Sequence, residues 1–346
     1  MRDRVAAVVV AIVPFLGFGL VGCAGSDDAS QEESSIDMPR RGEASSGDDQ
    51  TTPATNTDPG ANTGAASGRD SRGAAPGGAV APTTPACDPN KPFDAPVMVS
   101  AFREVGVDTS SVRLSSNMLT AYLTRPAGIY TSTRATTSAP WSAPSLMTSA
   151  GGSWPGLHAT LTSDSLTMYV QQGLPVGGSD VMMATRPNVA SAFGALVAVP
   201  GINDPSVEDL APYVSDDGNA IYFSSRRLPN IASDPNIYRA EKRAGVFGTP
   251  VLVPGVNTGG YDSFPVPSSD ELTIYFASDQ SGGGFDIFTA HRASTSYAFP
   301  KPQVVTELSS TAAEFPSYVT HDGCSIYFSS NRTGNNLDIY VASRPL

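Results

Sequence analysis

A short apolar motif with a central tyrosine occurs five times in this chain, and this repeat constrains the fold more than any other feature of the sequence. Its copies are Leu119–Leu123, Leu166–Val170, Ala220–Ser225, Thr273–Ser278 and Ser325–Ser330. Each copy follows a polar turn, and Asp-Gly in the third and fifth turns is a strong hairpin signal. Repeats spaced by about 50 residues are typical of propellers and other repeat architectures.

Two further strands accompany each copy of the motif. The third strand of each unit carries one of the runs Gly128–Ser132, Asp180–Ala184, Asn236–Ala240, Asp286–Ala290 and Asp338–Ala342. The fourth strand opens with an aromatic residue, which is Trp141, Phe193, Phe247, Phe299 or Phe93. Four short strands per unit of about 50 residues are typical of propeller blades, and the central strands are apolar on both faces, as a blade packed between two other blades requires. A β-sandwich is the alternative, but it would not repeat one motif in register.

The fifth unit lacks its fourth strand after residue 342, and the segment before the first unit supplies it. Phe93 and Pro96 match Phe247 and Pro250 in type and spacing. We therefore predict an all-β fold, a five-bladed propeller over residues 93–346 in which the N-terminal strand completes the last blade. Such closure removes free strand edges, which would otherwise pair with other chains.

Blades three to five carry a motif that resembles a known family. The residues are Asp209-x-x-Pro212-x-x-Ser215-x-Asp217-Gly218, followed by Ile221-Tyr222-Phe223-Ser224-Ser225-Arg226, and Asp262-x-x-Pro265-x-x-Ser268-x-Asp270 in the next unit. This pattern resembles the WD40-like repeat of TolB-type propellers. Those propellers usually have six blades behind a separate α/β domain, whereas five blades are predicted here. The resemblance implies a periplasmic or surface binding scaffold.

The N-terminus has the features of an export signal over residues 1–22. A charged start precedes an apolar run from Val5 to Leu20, which is shorter than the roughly 20 residues of a membrane-spanning helix. The sequence Leu20-Val21-Gly22-Cys23 resembles the bacterial lipobox, which implies that Cys23 is lipidated. By resemblance to Gram-negative lipoproteins, Ala24 at the next position implies the outer membrane. An ordinary signal peptide or a membrane anchor would be the alternative.

Residues 23–92 are predicted to form a disordered tether. The segment is rich in Ser, Thr, Gly, Ala, Pro and acidic residues, and Ile36 and Met38 are among its few large apolar side chains. Such a composition buries too little surface to offset the entropy of folding. Because Cys23 is predicted to carry a lipid, the membrane is one expected partner. A net charge of −12 argues against nucleic acid, since phosphate binding needs clustered Lys and Arg.

Acidic residues are the main candidates for a ligand site, because no cofactor motif and no G-x-S-x-G nucleophile motif is present. Asp209, Asp262 and Glu314 occupy equivalent positions before the innermost strands, and Asp108 falls one residue from the equivalent place. We expect them at one mouth of the channel, as solvated turn acids, as a ligand or cation site, or as a catalytic pair about 5–10 Å apart. His158, His291 and His321 fall at different levels of their blades, which argues against a shared metal site.

The sequence also predicts a disulfide between Cys87 and Cys324. Cys87 precedes the closing strand, and Cys324 opens the second strand of the last blade at the same end. Two strand spacings, about 10 Å, separate these points, which six residues of loop can cover. Export favours disulfides, and two unpaired thiols are the alternative.

The leading hypothesis for function is a non-catalytic binding module, held at the cell envelope and contacting an envelope protein or a glycan. A carbohydrate-active enzyme of glycosidase or lyase type, using the acids at the channel mouth, is the main rival. A purely structural envelope protein is the third hypothesis.

Overall fold

The computed structural model describes residues 87–149, 152–153, 156–175, 178–227 and 234–346. The signal peptide, Cys23 and tether residues 24–86 lie outside the described residues. The described part consists of β-strands and one turn of 3-10 helix, Ser100–Phe102. Across these ranges, no helix has the length and apolar character needed to span a membrane.

The strands are numbered in chain order. They are β1 (Val97–Met98); β2 (Ser111–Leu114), β3 (Thr120–Arg125), β4 (Gly128–Thr133) and β5 (Ser145–Leu146); β6 (Thr148–Ser149) and β7 (Gly152–Ser153); β8 (Gly156–Leu161), β9 (Thr167–Gly173), β10 (Ser179–Thr185) and β11 (Val197–Ala198); β12 (Asp209–Val214), β13 (Ala220–Ser225), β14 (Asn236–Arg243), β15 (Val246–Phe247) and β16 (Val251–Leu252); β17 (Asp262–Pro267), β18 (Thr273–Ser278), β19 (Asp286–His291) and β20 (Gln303–Val304); β21 (Glu314–Val319), β22 (Ser325–Ser330) and β23 (Asp338–Ser343).

Five antiparallel sheets form the five blades, which confirms the predicted fold. Their strand orders are β2-β3-β4-β5, β8-β9-β10-β11, β12-β13-β14 with β15 and β16, β17-β18-β19-β20, and β21-β22-β23-β1. The first strand of each blade is innermost, and these five strands contact one another in a closed ring. Strands β6 and β7 form a separate small hairpin between blades one and two.

The N-terminal strand completes the last blade, as the sequence predicts. Val97 pairs with Val341 and Met98 with Tyr340 in the antiparallel register of β1 and β23. Phe93, which precedes β1, is buried and packs edge-on against Tyr275 with ring centroids 6.2 Å apart. The closing segment therefore joins both the last blade and the blade before it.

The second strand of each blade is buried on both faces because it lies between two neighbouring blades. In β13, Ile221, Tyr222 and Phe223 are fully buried. A tyrosine occupies the same register position in all five blades: Tyr122, Tyr169, Tyr222, Tyr275 and Tyr327. The central tyrosine of the sequence motif is thus a contact between blades.

A cation stacks on the aromatic residue that opens each fourth strand. The five pairs are Arg134 on Trp141, Arg186 on Phe193, Lys242 on Phe247, Arg292 on Phe299 and Arg344 on Phe93, at 4.1–4.7 Å from the ring centroid. Three of these cations also donate to a central tyrosine hydroxyl of the preceding blade. The sequence analysis recognised the aromatic residues but not the repeated cation.

The innermost strands carry a bulge at one repeated position. His158, Ala211 and Phe264 have positive φ values of 51°, 46° and 55°, and the pairing register shifts at each of them. A bulge re-aims side chains and bends the strand. Pro212 and Pro265 follow two of the bulges. Proline has no backbone N–H to donate to a neighbouring strand, and the inner edge of the blade has no such neighbour in its sheet.

Residues 87–92 belong to the propeller, although the sequence analysis assigned them to the tether. Cys87 is buried and joined to Cys324 by a disulfide with a Cα–Cα distance of 5.6 Å. The Asp88 amide donates to Pro345 O at 2.9 Å, and Arg344 donates to Lys91 O. Composition could not reveal this, because long-range bonds to the last blade fix the segment.

Candidate functional site

The three equivalent acids do not line an open mouth. Asp209, Asp262 and Glu314 are fully buried, with no exposed side-chain surface. They stand at the beginning of the innermost strands and face donors from the protein itself. The prediction of solvated acids or of an accessible ligand or cation site is therefore corrected for these residues. Among the described residues, no group of three His, Cys, Asp or Glu side chains could hold a metal ion.

Each buried acid ties a connecting loop to the end of a second strand. Asp262 accepts from the Thr258 amide at 2.5 Å and the Thr258 hydroxyl at 2.9 Å. Glu314 accepts from Ser310, Ser330 and Arg332. Burial raises the pKa of Asp262, and its bonds to Thr258 and Ser278 oppose that change. A structural bond network explains why an acid recurs in these three blades.

Asp108 has a similar structural role on a different segment. Its Oδ1 accepts from the Leu337 amide at 2.8 Å and from Asn336 Nδ2 at 3.1 Å. The carboxylate is half-buried and joins the segment before β2 to the last blade.

The three histidines lie apart, as the sequence analysis expects. His158 is buried on β8, with its ring edge-on to Phe264 at 5.0 Å between centroids. Its Nδ1 makes no hydrogen bond within the described residues, and burial lowers its pKa to about 4. His291 lies at the end of β19 and contacts the Thr273 hydroxyl at 3.0 Å. His321 is in the turn between β21 and β22, with 81% of its side chain exposed.

The central channel is too narrow for an organic ligand. All five innermost strands line it, and small residues or prolines such as Ala159, Ala211 and Pro316 face it. The remaining space of ≈ 20 Å³ holds about one water molecule. A ligand of that size would therefore bind at an end of the ring rather than inside the channel.

Three residues break the repeat at the end where the turns between first and second strands meet. Serine follows the first turn residue in three blades, at Ser116, Ser163 and Ser269, whereas Asp216 and His321 occupy this place in the other two. Arg113 pairs with Tyr122, and its register equivalents are the uncharged residues Thr160, Tyr213, Val266 and Tyr318. Departures from a repeat that the fold itself does not require point to function.

The three repeat-breaking residues come together across the axis. Arg113 Nη2 lies 3.2 Å from Asp216 Oδ1, and His321 Nδ1 lies 3.2 Å from Asp216 Oδ2. The Arg113 guanidinium stacks between two rings, 4.2 Å from the Tyr213 centroid and 4.8 Å from that of Tyr318. Blades one, three and five therefore meet through one network of charged and polar side chains.

This network lines a pocket of ≈ 470 Å³, here called the mouth pocket. Its other lining residues are Leu114, Ser116, Leu161, Thr162, Ser163, Asp217 and Tyr318. Asp217 accepts from Ser215 and Asn219 within its own turn, and these bonds hold the turn in place. The mouth pocket thus combines apolar walls with one charged network.

Arg113 is the least satisfied group of the mouth pocket. Its side chain is only 4% exposed, yet Nη1 makes no hydrogen bond within the described residues. Its one carboxylate partner is about a third exposed. Leaving a buried donor unpaired costs about 1–3 kcal/mol. Sequence reasoning missed Arg113, although its position beside the central tyrosine, filled elsewhere by uncharged residues, was a readable signal.

No protein-family model matches the chain, and no curated protein matches it by sequence. Solved structures similar to it include a protein assigned as TolB from Agrobacterium tumefaciens, at 16% identity over 69% of this chain and 78% of that one, with a TM-score of 0.45. TolB from Acinetobacter baumannii is 15% identical over 68% of this chain and 54% of its own length, with a TM-score of 0.38. An endo-arabinase from Bacteroides thetaiotaomicron is 14% identical over 73% and 97%, with a TM-score of 0.49.

These similarities carry no argument about function. The aligned region spans about half of the Acinetobacter protein, and every identity is far below the level at which activity transfers. The fold itself follows from the sheet topology described above: the described residues between 87 and 346 form a five-bladed β-propeller.

Proposed function

We propose that this protein is a non-catalytic binding module of the bacterial cell envelope. In this proposal lipidated Cys23 anchors it to the outer membrane, and the mouth pocket contacts an envelope protein or glycan. The convergence of Arg113, Asp216 and His321 carries the proposal, because all three differ from the residues at the equivalent positions of the other blades. The anchor has its own test: Cys23→Ser should move the exported chain out of the membrane fraction.

Three physical features support binding at the mouth pocket. Burying a guanidinium costs free energy unless partners compensate it, and Nη1 of Arg113 has no hydrogen-bond partner among the described residues. The pocket volume of ≈ 470 Å³ falls in the range usual for ligand sites. Turn-to-turn bonds hold the rim, with Ser116 Oγ donating to Ser163 O at 2.7 Å and Ser269 Oγ to His321 O at 3.1 Å.

Photo-crosslinking in cells tests this proposal. A photoreactive amino acid at Ser163, an exposed residue on the rim of the mouth pocket, should give a defined adduct with an envelope component. The same amino acid at Ala127, exposed in the loop between β3 and β4 at the other end of the ring, serves as the control. Equal adducts from both positions, or none from Ser163, would contradict binding at the mouth pocket.

The carbohydrate-active enzyme stays the alternative hypothesis. It requires two carboxylates in distinct environments near an open pocket. Asp216 and Asp217 both line the mouth pocket, and Asp216 is the one that faces across the axis. If this hypothesis holds, the chain hydrolyses or cleaves an envelope glycan and Asp216→Asn abolishes that turnover.

A further inference from the structure

We infer that the mouth pocket binds a carboxylate carried on an apolar group, of the kind found at the C-terminus of a peptide. This inference rests on the proposed function and names the chemistry that the pocket would recognise. It follows from the charge balance around Arg113, from the walls of the pocket and from the partners of Asp216.

The charge of Arg113 is incompletely balanced inside the protein. Asp216 is its only carboxylate partner among the described residues, at 3.2 Å, which is longer than the roughly 2.7–2.9 Å of a strong charge-assisted bond. Tyr213 and Tyr318 provide cation–π contacts, and the Tyr213 side chain also hydrogen-bonds the guanidinium, but Nη1 itself has no hydrogen-bond partner among the described residues. A second carboxylate, bound in bidentate fashion, would supply the acceptors that the guanidinium lacks.

The walls of the pocket select what carries the carboxylate. Leu114, Leu161 and Tyr318 line it together with the guanidinium. Arg113 lies on β2, two residues before the turn that begins at Ser115, so a ligand bound to it would also contact these apolar side chains. An aliphatic or aromatic group next to the carboxylate would bury its surface there.

Asp216 is placed to yield to such a ligand. Its two oxygens contact different partners, Arg113 through Oδ1 and His321 through Oδ2. A ligand carboxylate that takes over the contact with Arg113 leaves Asp216 its contact with His321. A cation is disfavoured here, since it would meet the guanidinium and the acid oxygens already have partners.

Calorimetric titration of the full chain in detergent tests the inference with three probes. N-acetyl-L-leucine should bind, whereas N-acetyl-L-leucinamide, which lacks the carboxylate, should bind at least about 10-fold more weakly. Glucuronate, whose carboxylate is carried on a polar sugar, should also bind more weakly. An amide or glucuronate that binds as tightly as N-acetyl-L-leucine would overturn the inference.

Two variants assign the binding to this network. Asp216→Ser, which introduces the residue found at this place in three other blades, should tighten binding of N-acetyl-L-leucine because it removes the internal competitor. Arg113→Met should weaken binding on the order of 10- to 100-fold. Arg103→Gln, which removes a half-exposed cation at the other end of the ring, is the control and should change nothing.

The outcomes separate this inference from the proposed function. If none of the probes binds to the native chain or to Asp216→Ser, the carboxylate inference is wrong, while crosslinking at Ser163 decides independently whether the mouth pocket is a binding surface. Asp216→Ser introduces the residue that three other turns already contain, so this variant should fold. Its predicted tighter binding therefore still tests the inference if Arg113→Met misfolds.

Discussion

A left-handed backbone conformation recurs in the innermost strands, and His158 is the titratable residue that adopts it. Its imidazole is buried against Phe264, and the His158 amide donates to the Thr124 hydroxyl at 2.9 Å. Because burial disfavours the charged form, the pKa is lowered to about 4. The residue is therefore a neutral packing group whose protonation opposes folding.

This depressed pKa predicts a pH dependence of stability. Below pH 6.5 the unfolded chain binds a proton at His158 that the folded chain does not, so the free energy of unfolding falls as the pH drops from 6.5 towards 4. Between pH 7 and pH 5 the loss from this group should be about 2 kcal/mol. Urea unfolding at both pH values should show a smaller loss in His158→Phe, which carries the residue type found at the equivalent position 264. Identical losses in both chains would contradict the buried neutral imidazole.

The buried acid Asp262 tests the corrected role of the repeated carboxylates. Asp262→Ala leaves the Thr258 amide and the Thr258 and Ser278 hydroxyls without their acceptor, so stability should fall by about 2–4 kcal/mol. Asp94→Ala, at an exposed acid, should change it by less than about 0.5 kcal/mol. Similar small effects of both substitutions in urea unfolding would restore the sequence-based interpretation of Asp262 as a solvated acid.

At the residue scale, the sequence predicts which residues occupy equivalent positions in the blades better than it predicts how buried those residues are. Spacing alone identifies Asp209, Asp262 and Glu314 as one repeated position. Their burial depends on loops and strand ends that are distant in sequence, such as Thr258 and Ser278 around Asp262. The network of Arg113, Asp216 and His321 was not predicted for the same reason, because its members come from three different blades.

At the element scale, the strands follow closely from sequence because every blade repeats the same pairing. The register of β13 with β14 matches that of β18 with β19, and both place the central tyrosine opposite the same strand position. The connecting segments are less predictable. Gly255, with φ +90°, packs so closely that a Cβ would lie 1.9 Å from Phe299 O, a constraint that depends on the neighbouring blade.

The closing strand gives the sharpest prediction for an element. A chain that begins at Ser100 lacks β1 and Phe93, which exposes the edge of β23 and the buried face of Tyr275. It should aggregate or melt far below the complete chain. The control is Cys87→Ala/Cys324→Ala, which loses the disulfide but keeps the strand. A truncated chain that melts with the control would show that β1 does not hold the ring closed.

At the scale of the whole molecule, the disulfide and the closing strand act on the same junction. Cys87 and Cys324 are 237 residues apart in sequence, so their bond encloses nearly the whole ring. Constraining so long a loop in the unfolded chain is worth on the order of 5 kcal/mol, and strain commonly reduces it. The disulfide pairing could be predicted from the sequence because the closing strand brings the segment around Cys87 to the last blade, which contains Cys324.

Peptide mapping without reductant tests the disulfide in the exported protein. A linked pair of peptides containing Cys87 and Cys324 is expected, together with a lower melting temperature after reduction. Two freely alkylated thiols in the native exported chain would contradict the bond.

At the scale of the whole molecule, the mouth pocket is the surface where we propose that a partner binds. The affinity of the component crosslinked at Ser163 tests this most directly when it is measured for two tryptophan variants. Ser163→Trp places a large side chain on the pocket rim, and Ala127→Trp places the same side chain at the other end of the ring. We predict at least about a 10-fold loss of affinity for Ser163→Trp and no change for Ala127→Trp. Unchanged affinity in Ser163→Trp, or an equal loss in both variants, would contradict binding at the mouth pocket.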